Sequence, residues 1–297
     1  MHSPGTELDL VKPTSFRKYL FEDAVDQAEF RRQHENLRET LRAEGVDVVL
    51  LHRTLPLGSM SGLIKKSPNL VYTRDTVTVV PSGYIEMRMK NAARRYEPRV
   101  AAAALQTLNV KKLTDIKPRA TMEGGDMIFL DEETLLVGVG NRTNLLGLHQ
   151  LRQVTQTQGF LTLIAVPLPP SVIHLDGTMM IVDQDLAIVH RESLIERAII
   201  YEEGKIARHA DLLVFLKKRG FRLIGVTGYE RRRRATNVIT LGPRKLVVYS
   251  GNARVRNLLA KEGVDFIEFE GSELVRGGGG PRCMTSPIQR DWRNSIR

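Results

Sequence analysis

At 297 residues, 42% of them hydrophobic, the chain carries enough apolar material for a sizeable core and too much for a disordered chain. Its one cysteine excludes an intramolecular disulfide and any multi-cysteine zinc site, and fits a reducing, cytoplasmic setting. No run of about 18 apolar residues exists, so no membrane span is expected, and the first residues lack the basic-then-apolar order of a secretory signal. The net charge of +10 raises the question of nucleic acid. Its densest run, Arg231–Arg234, comes without a zinc-finger or RNP-type pattern, so a solvated basic surface is the reading and nucleic acid is not expected as a partner.

Taken in chain order, the elements repeat. "LRAEGVDVVLL" (41–51) is the end of an amphipathic helix, a glycine suited to the helix C-cap, then a strand. "LVYTRDTVTVV" follows as a strand, and "LQTLNVKKL" (105–113) is a second helix end, with Asn109 in place of the glycine. "GGDMIFLDEETLLVGVG" reads as a strand hairpin turning near Asp131. "TQTQGFLTLIAV" (155–166), "LKKRGFRLIGV" (216–226) and "LAKEGVDFIEF" (259–269) repeat the helix end, with strand-like "LAIVH" and "KLVVYS" ahead of the last two. The caps fall at 45, 109, 159, 220 and 263, so the units run about 43 to 64 residues. Five units of strands, helix and strand can close in a ring, as in a propeller, and so avoid open sheet edges. The expectation is therefore an α/β fold of five blades. An open doubly wound sheet, or an ordinary α/β domain with chance similarity at helix ends, are the alternatives. No low-complexity linker divides the chain, which predicts one domain over 1–297.

Several segments place charge where a strand would be apolar: Asn69, Arg74 and Asp75 in "NLVYTRDTV", Glu123 and Asp126 in "MEGGDM", Arg142 in "GNRTN", His174 and Asp176 in "VIHLDGTM". A charge inside an apolar strand is costly unless it is paired or functional. Each has a plain reading alone, as a satisfied structural histidine, a surface ion pair, or a polar turn. Cys283, in "GGGGPRCMTSPI", is a lone thiol behind a flexible run in which glycines allow close backbone approach. Together they make a thiol, a histidine and several carboxylates on different repeats, the inventory for nucleophilic catalysis on a cationic substrate.

In order and combination these segments resemble the guanidine-modifying enzymes of the pentein fold, and most closely the arginine deiminase family. The resemblance runs from "HSPGTELDLVKPTSFRKYLFED" through "NLVYTRD", "ARRYE", "MEGGD", "NRTN" and "HLD" to "GSELVRGGGGPRCMTSPIQR". It implies a five-bladed α/β propeller, no metal or organic cofactor, and hydrolysis of L-arginine to citrulline and ammonia through a covalent cysteine thiouronium. Carried over by position, it makes Cys283 the nucleophile, His174 the general acid/base and Glu123 the carboxylate beside them. Asp75 and Asp176 would grip the guanidinium, Arg94 and Arg142 would hold the substrate α-carboxylate, and Asn69 would touch the substrate. An acidic residue two places after the histidine favours an unmethylated guanidine over dimethylarginine. Arginine dihydrolases, dimethylarginine hydrolases and amidinotransferases of the same fold are the alternative activities. A ribosome-binding pentein is the alternative from outside enzymes, and a homo-oligomer is left open. Two departures from the family pattern bear on the site. Only "HRTLPLGSMSGLIKKSP" stands where bacterial deiminases carry a helical insertion. Gly278 stands where many carry an arginine that gates the thiol, with Arg276 or Arg282 as candidate substitutes.

Overall fold

The computed structural model describes residues 1–56, 58–194 and 197–289. The end of the expected domain, 290–297, lies outside the described residues, and with it Arg290 of the C-terminal motif. All five predicted caps adopt left-handed backbone: Gly45 at φ 78°, Asn109 at 58°, Gly159 at 86°, Gly220 at 89° and Gly263 at 73°. Asparagine serves at 109 because its short polar side chain tolerates that region better than other L-residues. These caps close the helices Gln27–Ala43, Glu97–Thr107, Leu145–Gln156, Leu212–Lys218 and Ala253–Ala260.

A strand follows four of the five caps. β1 (Val77–Val80) and β2 (Gly83–Glu86) form a hairpin, and β3 (Lys112–Asp115) returns parallel to β2. β4 (Met127–Phe129) and β5 (Thr134–Val139) repeat the hairpin, with β6 (Thr162–Pro167) parallel to β5. β7 (Met179–Asp183) and β8 (Leu186–Val189) form the third. A further hairpin, β9 (Ala198–Glu202) with β10 (Arg208–Ala210), extends the second sheet through β6. β11 (Arg222–Gly225) then pairs parallel with β8. The last sheet is β12 (Ile239–Gly242), β13 (Lys245–Tyr249) and β14 (Asp265–Phe269), again a hairpin plus a parallel strand. The described residues thus hold four sheets in a mixed α/β fold.

Two strand expectations are corrected. Residues 46–50 make no strand, since no hairpin stands beside them to pair with; instead the Met1 ammonium donates to Val49 O at 2.8 Å and Leu51 N to Met1 O at 3.0 Å. The first half of "LVYTRDTVTVV" is two 3-10 turns, Pro68–Val71 and Thr73–Asp75, and only its second half is β1. A polar pair inside the run is satisfied by turning, not by pleating. The largest apolar cluster joins the second, third and fourth sheets through Leu136, Ile164, Met179, Ile188 and Leu246. No helix of the described residues is long and apolar enough to cross a membrane.

What positions the site is a set of five tight turns, each closed by an i+3 to i hydrogen bond. They run Tyr72–Asp75, Glu123–Asp126, His174–Gly177, Arg234–Asn237 and Pro281–Met284, at 3.0–3.3 Å. The first four stand immediately ahead of β1, β4, β7 and β12. They are tied to one another. Arg74 N donates to Cys283 O at 3.0 Å, Gly125 N to Asp75 Oδ1 at 3.1 Å, Leu175 N to Asp126 Oδ1 at 3.0 Å and Cys283 N to Asn237 Oδ1 at 3.2 Å. Between the third and fourth units the tie is Thr240 Oγ1 to Ile181 O at 2.9 Å.

Candidate active site

The five turns bring most of the expected residues together. His174 Nε2 lies 2.8 Å from Glu123 Oε2, and its Nδ1 lies 3.7 Å from Asp75 Oδ1. Burial alone would lower the imidazole, but Asp75 and Glu123 outweigh it and hold it up at about 9. Burial would likewise raise Glu123, but the His174 contact and the Arg142 charge bring it down to about 2. Imidazolium and carboxylate are therefore the resting forms at neutral pH. Gly125 allows the close approach: a Cβ there would stand 2.8 Å from both Asp75 Oδ1 and the His174 ring.

Cys283 is half-buried, and its Sγ lies 3.3 Å from Asn237 Oδ1. Burial first, then the negative charges of Asp176 and Asp75, push the thiol up to about 12. Asp176 is pushed up by burial, and Arg282 and His174 only partly offset this. Its Oδ2 has no hydrogen-bond partner among the described residues; the nearest cation is Arg282 Nη1 at 3.6 Å, itself unpartnered. The glycine run before the thiol is likewise a matter of close approach, because a Cβ at Gly280 would stand 2.3 Å from Asn237 Oδ1.

Asp75, Glu123 and His174 each place one ligand-type atom within 4.8 Å of the others. Their lone pairs face N–H donors: Asp75 takes Gly125 N and Arg94 Nη1, and Glu123 takes Lys90 N, Arg142 Nη1 and His174. The trio is balanced by protein cations, which is not the donor set of a metal cage.

Some expected residues stand differently. Arg94 is buried and gives four of its five N–H donors to the protein: Nη1 to Asp75 Oδ2 at 2.6 Å, Nε to Glu97 Oε2 at 2.8 Å, and Nη2 to the Asn69 and Tyr72 carbonyls at 3.3 and 3.1 Å. In this structure it clamps Asp75. Asn69 is buried, and its Nδ2 donates to Tyr19 O. Arg142 reaches Glu123 Oε2 at 3.0 Å while remaining partly exposed. Of the two candidates for the missing arginine at 278, Arg276 is at the surface on Asp23 and Glu273, whereas Arg282 is buried beside Asp176 and donates to Met127 O at 2.9 Å. Sequence reasoning missed Asn237, the thiol's partner, and Glu97, which sits under Arg94. Asn237 had a signal: "RATN" precedes β12 as "YTRD" precedes β1. Glu97 had none beyond its place in "ARRYE".

The family model for arginine deiminase matches residues 56–290. An arginine deiminase of Streptococcus uberis is 24% identical over an alignment of 388 residues that takes in 98% of this chain and 95% of that one. The alignment is longer than this chain, so that relative carries insertions. YkgA of Bacillus subtilis, itself uncharacterized, is 28% identical over 95% of this chain and 87% of its own length. Among solved structures, DDAH from Pseudomonas aeruginosa in complex with citrulline superposes with a TM-score of 0.73 at 20% identity, over 95% of each chain. The N-terminal domain of ArgZ, an arginine dihydrolase from cyanobacteria, does so with 0.74 at 17% identity, over 98% of each.

Proposed function

The chain belongs to the arginine deiminase family and is an amidinohydrolase-type enzyme, and from that premise we propose that it hydrolyses L-arginine to citrulline and ammonia, with Cys283 as nucleophile and His174 as proton carrier. The observation that carries the reading is the convergence of one thiol, one imidazolium and three carboxylates on linked turns. Asp75 and Asp176 are the groups to dock a planar cation, since carboxylates receive guanidinium N–H groups in parallel pairs. Burial, together with these same two charges, holds the thiol protonated. A guanidinium bound between them cancels that field, the thiol proton leaves to solvent, and the thiolate adds to the central carbon. His174 gives its proton to the departing nitrogen as the C–N bond breaks, and ammonia leaves. A water then adds to the thiouronium carbon, with its proton passing to His174. The C–S bond breaks, the hydroxyl proton on that carbon leaves to solvent as the ureido carbonyl forms, and the product leaves a thiolate behind. Glu123 holds the imidazole in place through both halves. No step needs a cofactor.

Asp176 beside the thiol supports an unmethylated guanidinium, because methyl groups would meet its carboxylate. We read the five linked turns as the hubs of five units of a propeller in one domain, and the free thiol as that of a cytoplasmic enzyme. Product identification by mass spectrometry tests the assignment, with arginine, dimethylarginine, agmatine and citrulline offered separately and no metal added. Citrulline and ammonia from arginine are expected. Ornithine with carbon dioxide would make the enzyme a dihydrolase, and turnover of dimethylarginine alone would move it to the methylated substrates.

A further inference from the structure

Asp126, in the "MEGGDM" segment, takes no part in the proposed chemistry. It ends the turn Glu123–Asp126 and is fully buried. Its Oδ1 accepts from Leu175 N at 3.0 Å, the first peptide N–H after His174. Its Oδ2 accepts from Thr143 Oγ1 at 2.6 Å, and that hydroxyl oxygen in turn accepts from Glu123 N at 3.3 Å. Thr143 adjoins Arg142, whose Nη1 reaches Glu123 Oε2 at 3.0 Å, the same oxygen that meets His174 Nε2 at 2.8 Å. Room for the carboxyl is set aside in β5, where a Cβ at Gly138 would stand 2.5 Å from Asp126 Oδ1 and 2.9 Å from Leu175 Cβ. Gly138 has ordinary backbone, so its glycine serves space alone. Burial pushes the Asp126 carboxyl up to about 7; the His174 charge and the two donors offset part of this, and the Glu123 charge adds to it. A buried carboxyl on neutral donors is a costly filling, since an apolar side chain of that size carries no such desolvation penalty.

One carboxyl thus joins three pieces of the site: the turn that carries Glu123, the turn that carries His174 and the loop that carries Arg142. We propose that Asp126 is a positioning residue, which holds the His174 imidazole and the Arg142 guanidinium against Glu123 Oε2 through Leu175 N and Thr143 Oγ1. It acts through those two donors and not on the substrate. This rests on the reading of His174 as the proton carrier, and adds to it the group that keeps the imidazole in place for the reaction.

The test turns on the difference between asparagine and alanine at 126. Asp126→Asn keeps an oxygen for Leu175 N and offers an amide N–H to Thr143 Oγ1, so both ties survive. Asp126→Ala cuts both, and Thr143→Val cuts one. These variants, wild type and the double variant Asp126→Ala with Thr143→Val are timed on arginine well below their melting temperatures, and the Leu175 amide is followed by hydrogen exchange. Asp126→Asn should stay within about threefold of wild-type kcat, less than one neutral hydrogen bond is worth. Asp126→Ala should lose about a hundredfold, the scale of a small misplacement at the reacting centre, and more in kcat than in KM. Thr143→Val should cost about three- to tenfold in kcat/KM, and the double variant less than the product of the two, because both changes cut one shared tie. The Leu175 amide should exchange faster in Asp126→Ala and at the wild-type rate in Asp126→Asn. Equal losses in the asparagine and alanine variants overturn the proposal, since charge and not the ties would then matter. Unchanged kinetics in Thr143→Val, or a double variant at the full product, also overturn it, and neither the Thr143→Val result nor the Asp126→Asn result depends on Asp126→Ala folding. His174→Gln tests the proton carrier separately. If that variant keeps full turnover, or wild type leaves arginine untouched, the functional reading falls by itself; Leu175 exchange then decides the ties, and a wild-type rate in Asp126→Ala would sink them.

Discussion

Cys283 and His174 rest in the protonation states opposite to the usual neutral-pH picture of a reactive cysteine. The thiol is pushed up to about 12 by burial and two carboxylates, and the imidazole is held at about 9 by its carboxylate neighbours. Cys283 without substrate should therefore react with iodoacetamide at pH 7 more slowly than free cysteine, whose thiol is near 8.5. A rate equal to or above free cysteine would show that the thiolate is preformed. Cys283→Ser should leave under about one percent of turnover and keep arginine binding, because it removes the proposed nucleophile and neither proposed docking carboxylate. Arg282 Nη1 lies 3.6 Å from Asp176 Oδ2, and the proposed docking role of that carboxylate makes Arg282 a positioning residue for it. That carboxyl faces Arg282, Arg74 and His174 as cations and Asp75 as an anion, and burial already raises it. Arg282→Gln removes a cation and should raise it further. On the proposed docking role Asp176 must be ionised, so the acid limb of kcat/KM should move to higher pH, while Arg282→Lys stays near wild type. An acid limb unmoved in Arg282→Gln would dismiss the role.

Among the elements, glycine does two jobs that a pair of substitutions separates. Gly45 has left-handed backbone and nothing within 4 Å of a would-be Cβ, so Gly45→Ala meets a backbone cost alone, about 1–2 kcal/mol. Gly125 has ordinary backbone, but its Cβ would press on Asp75 and His174 at 2.8 Å. Gly125→Ala should cost a comparable 1–3 kcal/mol, roughly, through overpacking, and should also abolish turnover by displacing the imidazole. Urea unfolding beside steady-state kinetics checks both. Full activity in Gly125→Ala would mean the first two turns are not packed as described. The caps were legible in the sequence because a helix end followed by a glycine is a local event. The turns were not: "YTRD" looks like strand, and its turning depends on Arg94 from later in the same unit and on Gly125 and Cys283 arriving from two others.

For the molecule as a whole, the buried centre ties stability to pH. Glu97 is fully buried, accepts from Arg94 Nε, and is pushed up by burial from 4.5 to about 8. A carboxyl raised in the folded state binds its proton more tightly there than in the unfolded chain. Its stabilising contribution is complete below about pH 4.5 and is lost as pH rises through about 8. Glu97→Gln keeps an acceptor for Arg94 and removes that titration. The melting temperature of wild type should therefore fall more between pH 5 and 9 than that of the variant, with the shared contribution of His174 cancelling in the comparison. Parallel curves would show that Glu97 stays ionised beside Arg94.

The sequence by itself determined the repeat, the five left-handed caps, four of the parallel return strands, the family, and the residue types able to attack a guanidinium. These follow from short-range patterning, in which each cap or strand is written within about ten residues. Only the tertiary structure decided how charge is shared among those residues. Arg94 and Arg142 are equally basic in the sequence, yet one is spent on Asp75 and Glu97 while the other leans on Glu123 from a partly exposed position. The Arg231–Arg234 run looks like plain surface charge, yet its first and last members each keep a buried nitrogen with no partner among the described residues. A side chain's charge is set by its sequence, but its partner is set by which turns the closed fold brings within about 4 Å, where the Coulomb term and the cost of burial are both at their largest.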